Sequence, residues 1–500
     1  MRRAIAITSV VIQSRACKGI AFFFLAWPQF AQIQPAGEWS ALSAKATEAY
    51  NRGAYAESQR LYSSALPLAE AFGPQDDRLA VTLANLGTAH WMQGRNNDAE
   101  KLYRRAIDVW RGGADPAQTQ IAAALNNLAG ICRQEGRFSE AEPLYKEALA
   151  VHEKALGPES ARVALVLDNL GVLYKDQGKW AAAQQLHSRA LAMQERLLGP
   201  DHPDVAATLT HLGDLQRDEW RLAEAQPLYL RGISIREKAL GPEHPLLAES
   251  LNSLALLYRT EKRYADAERL YRRSLRICEN VLGPMHPRVA AALNNLGELA
   301  AAQGNYAEAQ QLYQRAIFIW EKALGPDHPD LSPGLANLAA LYMTHHKYAD
   351  AEALYRRAWR IDEARLGPAN ARIALDLNNL ATVRRARRQY SDAEELLQQS
   401  IAMYERALGP DTPSVAVPLL NLAGLYATQK RFSEAALHYR RALPLREQLL
   451  GADSPTLAEP LENYAYTLRK LEEYAEAEKA ELQATRIRVR MALHAESGAS

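Results

Sequence analysis

One amide recurs in fixed register through this 500-residue chain. Asn85, Asn127, Asn169, Asn295, Asn337, Asn379, Asn421 and Asn463 lie 42 residues apart or a multiple of it, and only His211 and Ser253 interrupt the series. Asn is a mediocre helix former, so its recurrence wants a chemical reason. A side-chain amide carries two donors and an acceptor, which match the backbone of an extended peptide. It could equally bond the neighbouring repeat, and the two roles do not exclude each other. Six residues on runs a second series: Trp91, Arg133, Lys175, Arg217, Arg259, Ala301, Met343, Arg385, Ala427 and Arg469. Six of its ten members are basic. With Asn126, Asn252, Asn294 and Asn378 it makes a wall of amides and cations suited to an acidic or carboxylate-bearing peptide. Asp168, Asp176, Asp214 and Asp218 dilute that field, so a solvated charged face is the plain alternative.

Other chemistry is sparse. His202, His244, His286 and His328 recur with one loop, a repeat apart, and are not expected to gather a metal. Cys17, Cys132 and Cys278 show no metal-ligand spacing. Cys132 and Cys278 take apolar positions, where small buried hydrophobes are expected. There is no P-loop, GxSxG or dinucleotide fingerprint. We expect no enzyme, catalytic residue, metal or cofactor. The net charge of +1 favours neither nucleic acid nor an anionic membrane as partner.

The elements that carry these residues follow from eight glycines. Gly157, Gly199, Gly241, Gly283, Gly325, Gly367, Gly409 and Gly451 are each 42 residues apart, which means one unit copied rather than several domains joined. In the unit Leu125–Pro158, apolar or small residues at Leu125, Leu128, Ala129 and Cys132 have helical spacing. Gly136 ends that helix, and Phe138, Ala141, Leu144, Tyr145, Ala148 and Leu149 begin a longer one. Gly157-Pro158 stops it. Each unit is thus a helical hairpin whose apolar faces need a neighbour. The turn glycine becomes Trp220, Lys262, His346, Arg388, Lys430 and Glu472 in other units, each expected to be left-handed at a cost of about 1 kcal/mol.

Leu-x-x-Leu-Ala/Gly followed by Ala-x-x-x-Tyr-x-x-Ala resembles the tetratricopeptide repeat. The 42-residue period and the linkers Leu198-Gly199-Pro200-Asp201-His202-Pro203 and Leu324-Gly325-Pro326-Asp327-His328-Pro329 resemble its kinesin-light-chain subtype. The resemblance implies an all-α, right-handed superhelical solenoid of about eleven stacked hairpins, first helices inside, with the first and last units degenerate. In that family, Asn at this register commonly touches a bound peptide. The implied concave-groove residues are Asn127, Asn169, Asn295, Asn337, Asn379, Asn126, Asn294, Asn378, Arg133, Lys175, Arg217 and Arg259. The stretch from Asn127 to Arg259 is the first choice and Asn294–Asn379 the second. No heptad segment precedes the repeats, which disfavours a kinesin light chain proper.

The repeats span 42–493, and a short disordered tail, 494–500, is expected. Residues 1–41 lie outside the repeat. Arg2, Arg3, Arg15 and Lys18 precede a short apolar run, Gly19–Trp27, the order of a secretory signal. The run is too short for a membrane span. We expect export to a periplasmic or extracellular location, with a cytoplasmic leader as the alternative. The function expected is a protein- or peptide-binding scaffold or adaptor. The alternative is the ligand-sensing half of a signalling system that acts through a separate effector chain.

Overall fold

The structure is a computed structural model that describes residues 37–51, 53–113, 117–366, 370–410 and 412–497. The leader 1–36 and residues 498–500 lie outside these, so the export expectation rests on residues that are not described. Among the described residues there are helices and turns but no strands. Eleven hairpins follow one another. They are α1 (Gly37–Asn51) with α2 (Tyr55–Glu70), α3 (Asp77–Trp91) with α4 (Asn96–Gly112), and α5 (Gln118–Gln134) with α6 (Phe138–Leu156). Next come α7 (Ala161–Asp176) with α8 (Trp180–Leu198), α9 (Pro203–Asp218) with α10 (Leu222–Leu240), and α11 (Pro245–Thr260) with α12 (Tyr264–Leu282). Then α13 (Pro287–Ala302) pairs with α14 (Tyr306–Leu324), α15 (Leu331–Thr344) with α16 (Tyr348–Leu366), and α17 (Ala371–Ala386) with α18 (Tyr390–Leu408). Last are α19 (Ala416–Thr428) with α20 (Phe432–Leu450) and α21 (Ala458–Lys470) with α22 (Tyr474–Ser497). The first helix begins at Gly37, ahead of residue 42, and buries Trp39, whose Nε1 donates to Thr82 Oγ1 at 2.9 Å. The last helix runs on to Ser497.

Local chemistry sets each hairpin. Second helices end at glycines such as Gly157 (φ 81°, ψ 161°) and Gly325 (φ 95°, ψ 161°), a region open essentially to glycine alone. That is why the anchors keep their register. The hairpin turns are left-handed at Gly136 (φ 72°), and equally at Lys262 (φ 61°) and Arg388 (φ 62°), as expected. A linker side chain caps most of the first helices, though not α5, α19 or α21. Asp76 Oδ1 accepts from Arg78 N at 2.9 Å, and Asn370 Oδ1 from Arg372 N at 2.9 Å. His202, His244, His286 and His328 do the same through Nδ1, at 3.1–3.2 Å. Between helices, fully buried alanines such as Ala141, Ala148, Ala183 and Ala190 let the backbones approach, and Tyr103, Tyr145, Tyr229 and Tyr271 fill the space between.

The chain divides into two compact units: residues 1–215 with 222–337, and residues 216–221 with 338–500. In the first unit the hairpins coil until distant ones touch. A Cβ on Gly53, in the first hairpin's turn, would lie 3.2 Å from Pro245 Cγ at the start of the sixth. A Cβ on Gly94, in the second, would lie 3.0 Å from Leu324 Cδ2 of the seventh. In this unit every residue of α3 from Leu79 to Trp91 is buried. In the second unit the last first-helix is uncovered, and Asn463, Tyr466, Arg469 and Lys470 of α21 are exposed.

Candidate functional site

All twelve expected groove residues lie on first helices, and the structure brings their amides together as a ladder inside the chain. Asn169 Nδ2 donates to Asn126 Oδ1 at 2.9 Å, Asn337 Nδ2 to Asn294 Oδ1 at 3.1 Å, and Asn421 Nδ2 to Asn378 Oδ1 at 2.8 Å. Each bond joins a register amide to the side chain 43 residues earlier. Where that earlier residue is Ala84, Asn127 turns instead to Tyr103 Oη at 3.3 Å. Counting 43 back from Asn379 gives Ala336, which carries no acceptor, and both amide atoms of Asn379 are buried without a partner. Asn295 is also buried, and Asn294 further donates to Glu298 Oε1 at 3.1 Å.

The cations are mostly neutralised at home. Arg133 Nη1 meets Asp176 Oδ2 at 2.7 Å, Arg259 Nη1 meets Glu298 Oε2 at 2.8 Å, and Arg217 Nη2 meets Asp218 Oδ1 at 3.0 Å. Lys175 is buried. Arg469 makes a bidentate pair with Glu481 at 2.7 and 2.6 Å. In the first-choice stretch from Asn127 to Arg259, Asn127, Asn169, Lys175 and Arg217 are buried, and the half-buried Arg133 and Arg259 are ion-paired within the chain. Arg385 is different. Among the described residues it has no carboxylate at ion-pair distance, and its Nη1 lies 3.5 Å from where a Cβ on Gly424 would be. Burial pushes its guanidinium below its usual value, against the opposing pull of Tyr439 and Glu459.

One node of the ladder is charged. His211 Nδ1 donates to Asp168 Oδ2 at 2.9 Å across the same 43-residue interval. His187 Nδ1 donates to Asp168 Oδ1 at 2.7 Å. Burial alone would raise Asp168, but the imidazoles, His211 foremost, hold its carboxyl well below the usual range. Burial lowers His211 to about 4 against the pull of Asp168. These three are the only His/Cys/Asp/Glu group among the described residues with ligand atoms close enough to share a metal ion. The loop histidines are the ones that stand out in the sequence, and they are not members of this group. Its sequence signal is that three register positions depart from the repeat together. Cys132 and Cys278 are buried and free, and burial pushes both thiols up to about 12.

Helical hairpins in one unbroken series, joined by an internal amide ladder, define an all-α repeat solenoid. A tetratricopeptide repeat family profile matches residues 40–112, 120–196, 162–238, 219–280, 288–364 and 372–448, well over half the chain. The chain belongs to the tetratricopeptide repeat family. No curated protein sequence matches it significantly. Among solved structures it is similar to BtubC (BKLC) from P. vanneervenii, at 22% identity over 50% of this chain and 94% of that one, with a TM-score of 0.34. It is similar to a candidate kinesin light chain with nearly identical TPR-like repeats from Podosopora anserina, at 25% identity over 41% and 97%, with a TM-score of 0.34. It is also similar in fold to a Rap protein complexed with Competence and Sporulation Factor, at 14% identity over 74% and 98%, with a TM-score of 0.51. Among the described residues no helix is long and apolar enough to cross a membrane.

Proposed function

We propose that the chain is a non-enzymatic scaffold that holds a protein partner through a carboxylate-bearing segment, taken up on the first-helix face of the second unit. One observation carries this reading. Of the basic series, the half-buried Arg385 is partly desolvated and has no carboxylate at ion-pair distance among the described residues, whereas Arg133, Arg259 and Arg469 are paired within the chain. A desolvated guanidinium gains most from a bidentate acid. Gly424 lies beside it, where an added Cβ would make ordinary contact with Arg385 Nη1 at 3.5 Å, and Asn463 and Tyr466 on α21 are exposed amide and aromatic side chains in the same unit. The Rap protein, of like fold, was solved with a bound factor, which supports partner binding as the use of such a framework. The ladder residues of the first unit hold hairpins together, and a peptide would reach them only by parting hairpins that touch. The basic-then-apolar leader favours export.

The test is affinity capture with mass spectrometry from envelope and cytosolic fractions separately, using the full chain and its Arg385→Gln variant. A partner retained by the wild type and lost by an equally helical variant supports the reading. Equal capture by both overturns the placement at Arg385. A partner found only in the cytosol counts against export.

A further inference from the structure

Three departures from the repeat meet at one point in the first unit. Asp168 on α7 stands where α5 and α13 carry Asn126 and Asn294. His187 on α8 stands where the neighbouring second helices carry Tyr145 and Tyr229. His211 on α9 stands where Asn169 and Asn295 continue the ladder. The chain separates them by 19 and 43 residues, and the fold gathers them. The two imidazole Nδ1 atoms take different oxygens of the one carboxylate, at 2.7 and 2.9 Å. The ring centroids are 5.3 Å apart, and ligand atoms of all three residues lie within 4.8 Å of one another. No side chain of the three is more than 1% exposed. Among the described residues Asp168 has no Lys or Arg at ion-pair distance, and His187 Nε2 is buried without a hydrogen-bond partner. A carboxylate so deeply buried is ordinarily paired with a cation or bound to a metal. Two imidazoles and a carboxylate are a borderline donor set that suits zinc(II) and its d-block neighbours rather than magnesium or calcium.

We propose that Asp168, His187 and His211 bind one divalent transition-metal ion, with zinc(II) as the representative ion. The site is closed to solvent and draws on two consecutive hairpins, so the ion acts as a staple between α7, α8 and α9. Its binding is linked to folding of that junction. It needs neither Arg385 nor a protein partner, so it stands or falls apart from the scaffold reading.

The repeat itself supplies the control. His187→Tyr, His211→Asn and Asp168→Asn each restore the residue that other hairpins use at the same place. Tyrosine fits because the His187 ring lies over Gly171, 2.8 Å from where a Cβ would be, as Tyr229 lies over Gly213 at 2.7 Å. The tag-free full chain is stripped with chelator, loaded with Zn2+ or Co2+, and freed of excess. Metal is then counted by emission spectrometry. Wild type is expected to keep one equivalent of Zn2+, to show visible d–d absorption with Co2+, and to unfold at a higher temperature when loaded. The triple consensus variant is expected to lose all three properties while its circular dichroism stays helical. Wild type that keeps no metal overturns the proposal, whatever the variant does. So does a folded variant that keeps as much as wild type. If the triple variant unfolds, His211→Asn alone is read by the cobalt spectrum: loss of the d–d bands supports the site, and an unchanged spectrum overturns it.

Discussion

Asn126 and Asn379 make the ladder testable one side chain at a time. Asn126 Oδ1 is the acceptor for buried Asn169, so Asn126→Ala strands an amide and is expected to cost about 1–3 kcal/mol in denaturant unfolding. The Asn379 amide makes no side-chain hydrogen bond, so Asn379→Ala is expected to cost clearly less, although both side chains are buried. Equal costs would mean that the ladder bonds contribute nothing. The linker histidines act at the same scale through their protonation. Each caps a helix with a neutral Nδ1 lone pair. Burial, then the Arg288 charge, lowers His244 to about 4 and His286 to about 3. An unfolded imidazole titrates near about 6.5. Between those values the unfolded chain binds more protons, so stability falls as pH drops from about 6.5 and levels off only below about 3. His244→Asn keeps a cap of the kind seen at Asn370 and removes one titration. Its unfolding midpoint should change less between pH 6.5 and 4 than that of the wild type, whatever its offset at neutral pH. An unchanged slope would remove His244 from the acid response.

Hairpin boundaries were the most legible feature, because they depend on local backbone chemistry. The glycines after the second helices adopt φ and ψ that side chains avoid, so a copied unit must keep them. Gly325→Ala is expected to cost about 1–3 kcal/mol. The turn position is more forgiving. Lys262 tolerates a left-handed φ of 61°, and Lys262→Gly is expected to raise stability by up to about 1 kcal/mol in the same assay. Loss of stability would show that the lysine side chain contributes more than its backbone strain costs. The basic series was legible as a stripe, but its ion pairs were not. Arg133 with Asp176 and Arg259 with Glu298 are partners one repeat apart, and which acid turns toward which base depends on how adjacent hairpins are set. The Asp168 cluster was hidden for a related reason. Each of its members reads alone as an ordinary repeat substitution, and only the packing of α8 against α7 and α9 unites them.

At the scale of the whole molecule, the closing of the first unit had no signature in the repeat. Contact between hairpins five apart comes from small rotations added hairpin by hairpin, which no single position encodes. Its trace is Gly53, left-handed at φ 78° and also pressed by the rigid Pro245 ring, whereas Gly304 is left-handed at φ 81° with nothing within 4 Å of a Cβ. Gly53→Ala should therefore destabilise more than Gly304→Ala, the excess being about 1 kcal/mol or more for overpacking. Equal losses would deny that the two hairpins touch. The closure leaves the ladder amides Asn126, Asn127 and Asn169 of the first unit buried, whereas Asn463 and Tyr466 of the second are exposed. The most direct test is a fluorescence-anisotropy titration of the captured partner's acidic segment against the full chain and its Arg385→Gln variant, at low and at physiological salt. Removing a charge-assisted bidentate pair at Arg385 predicts affinity weaker by about 10-fold or more, with a smaller salt dependence in the variant. Affinity that is the same for both chains at both salt concentrations would contradict the account.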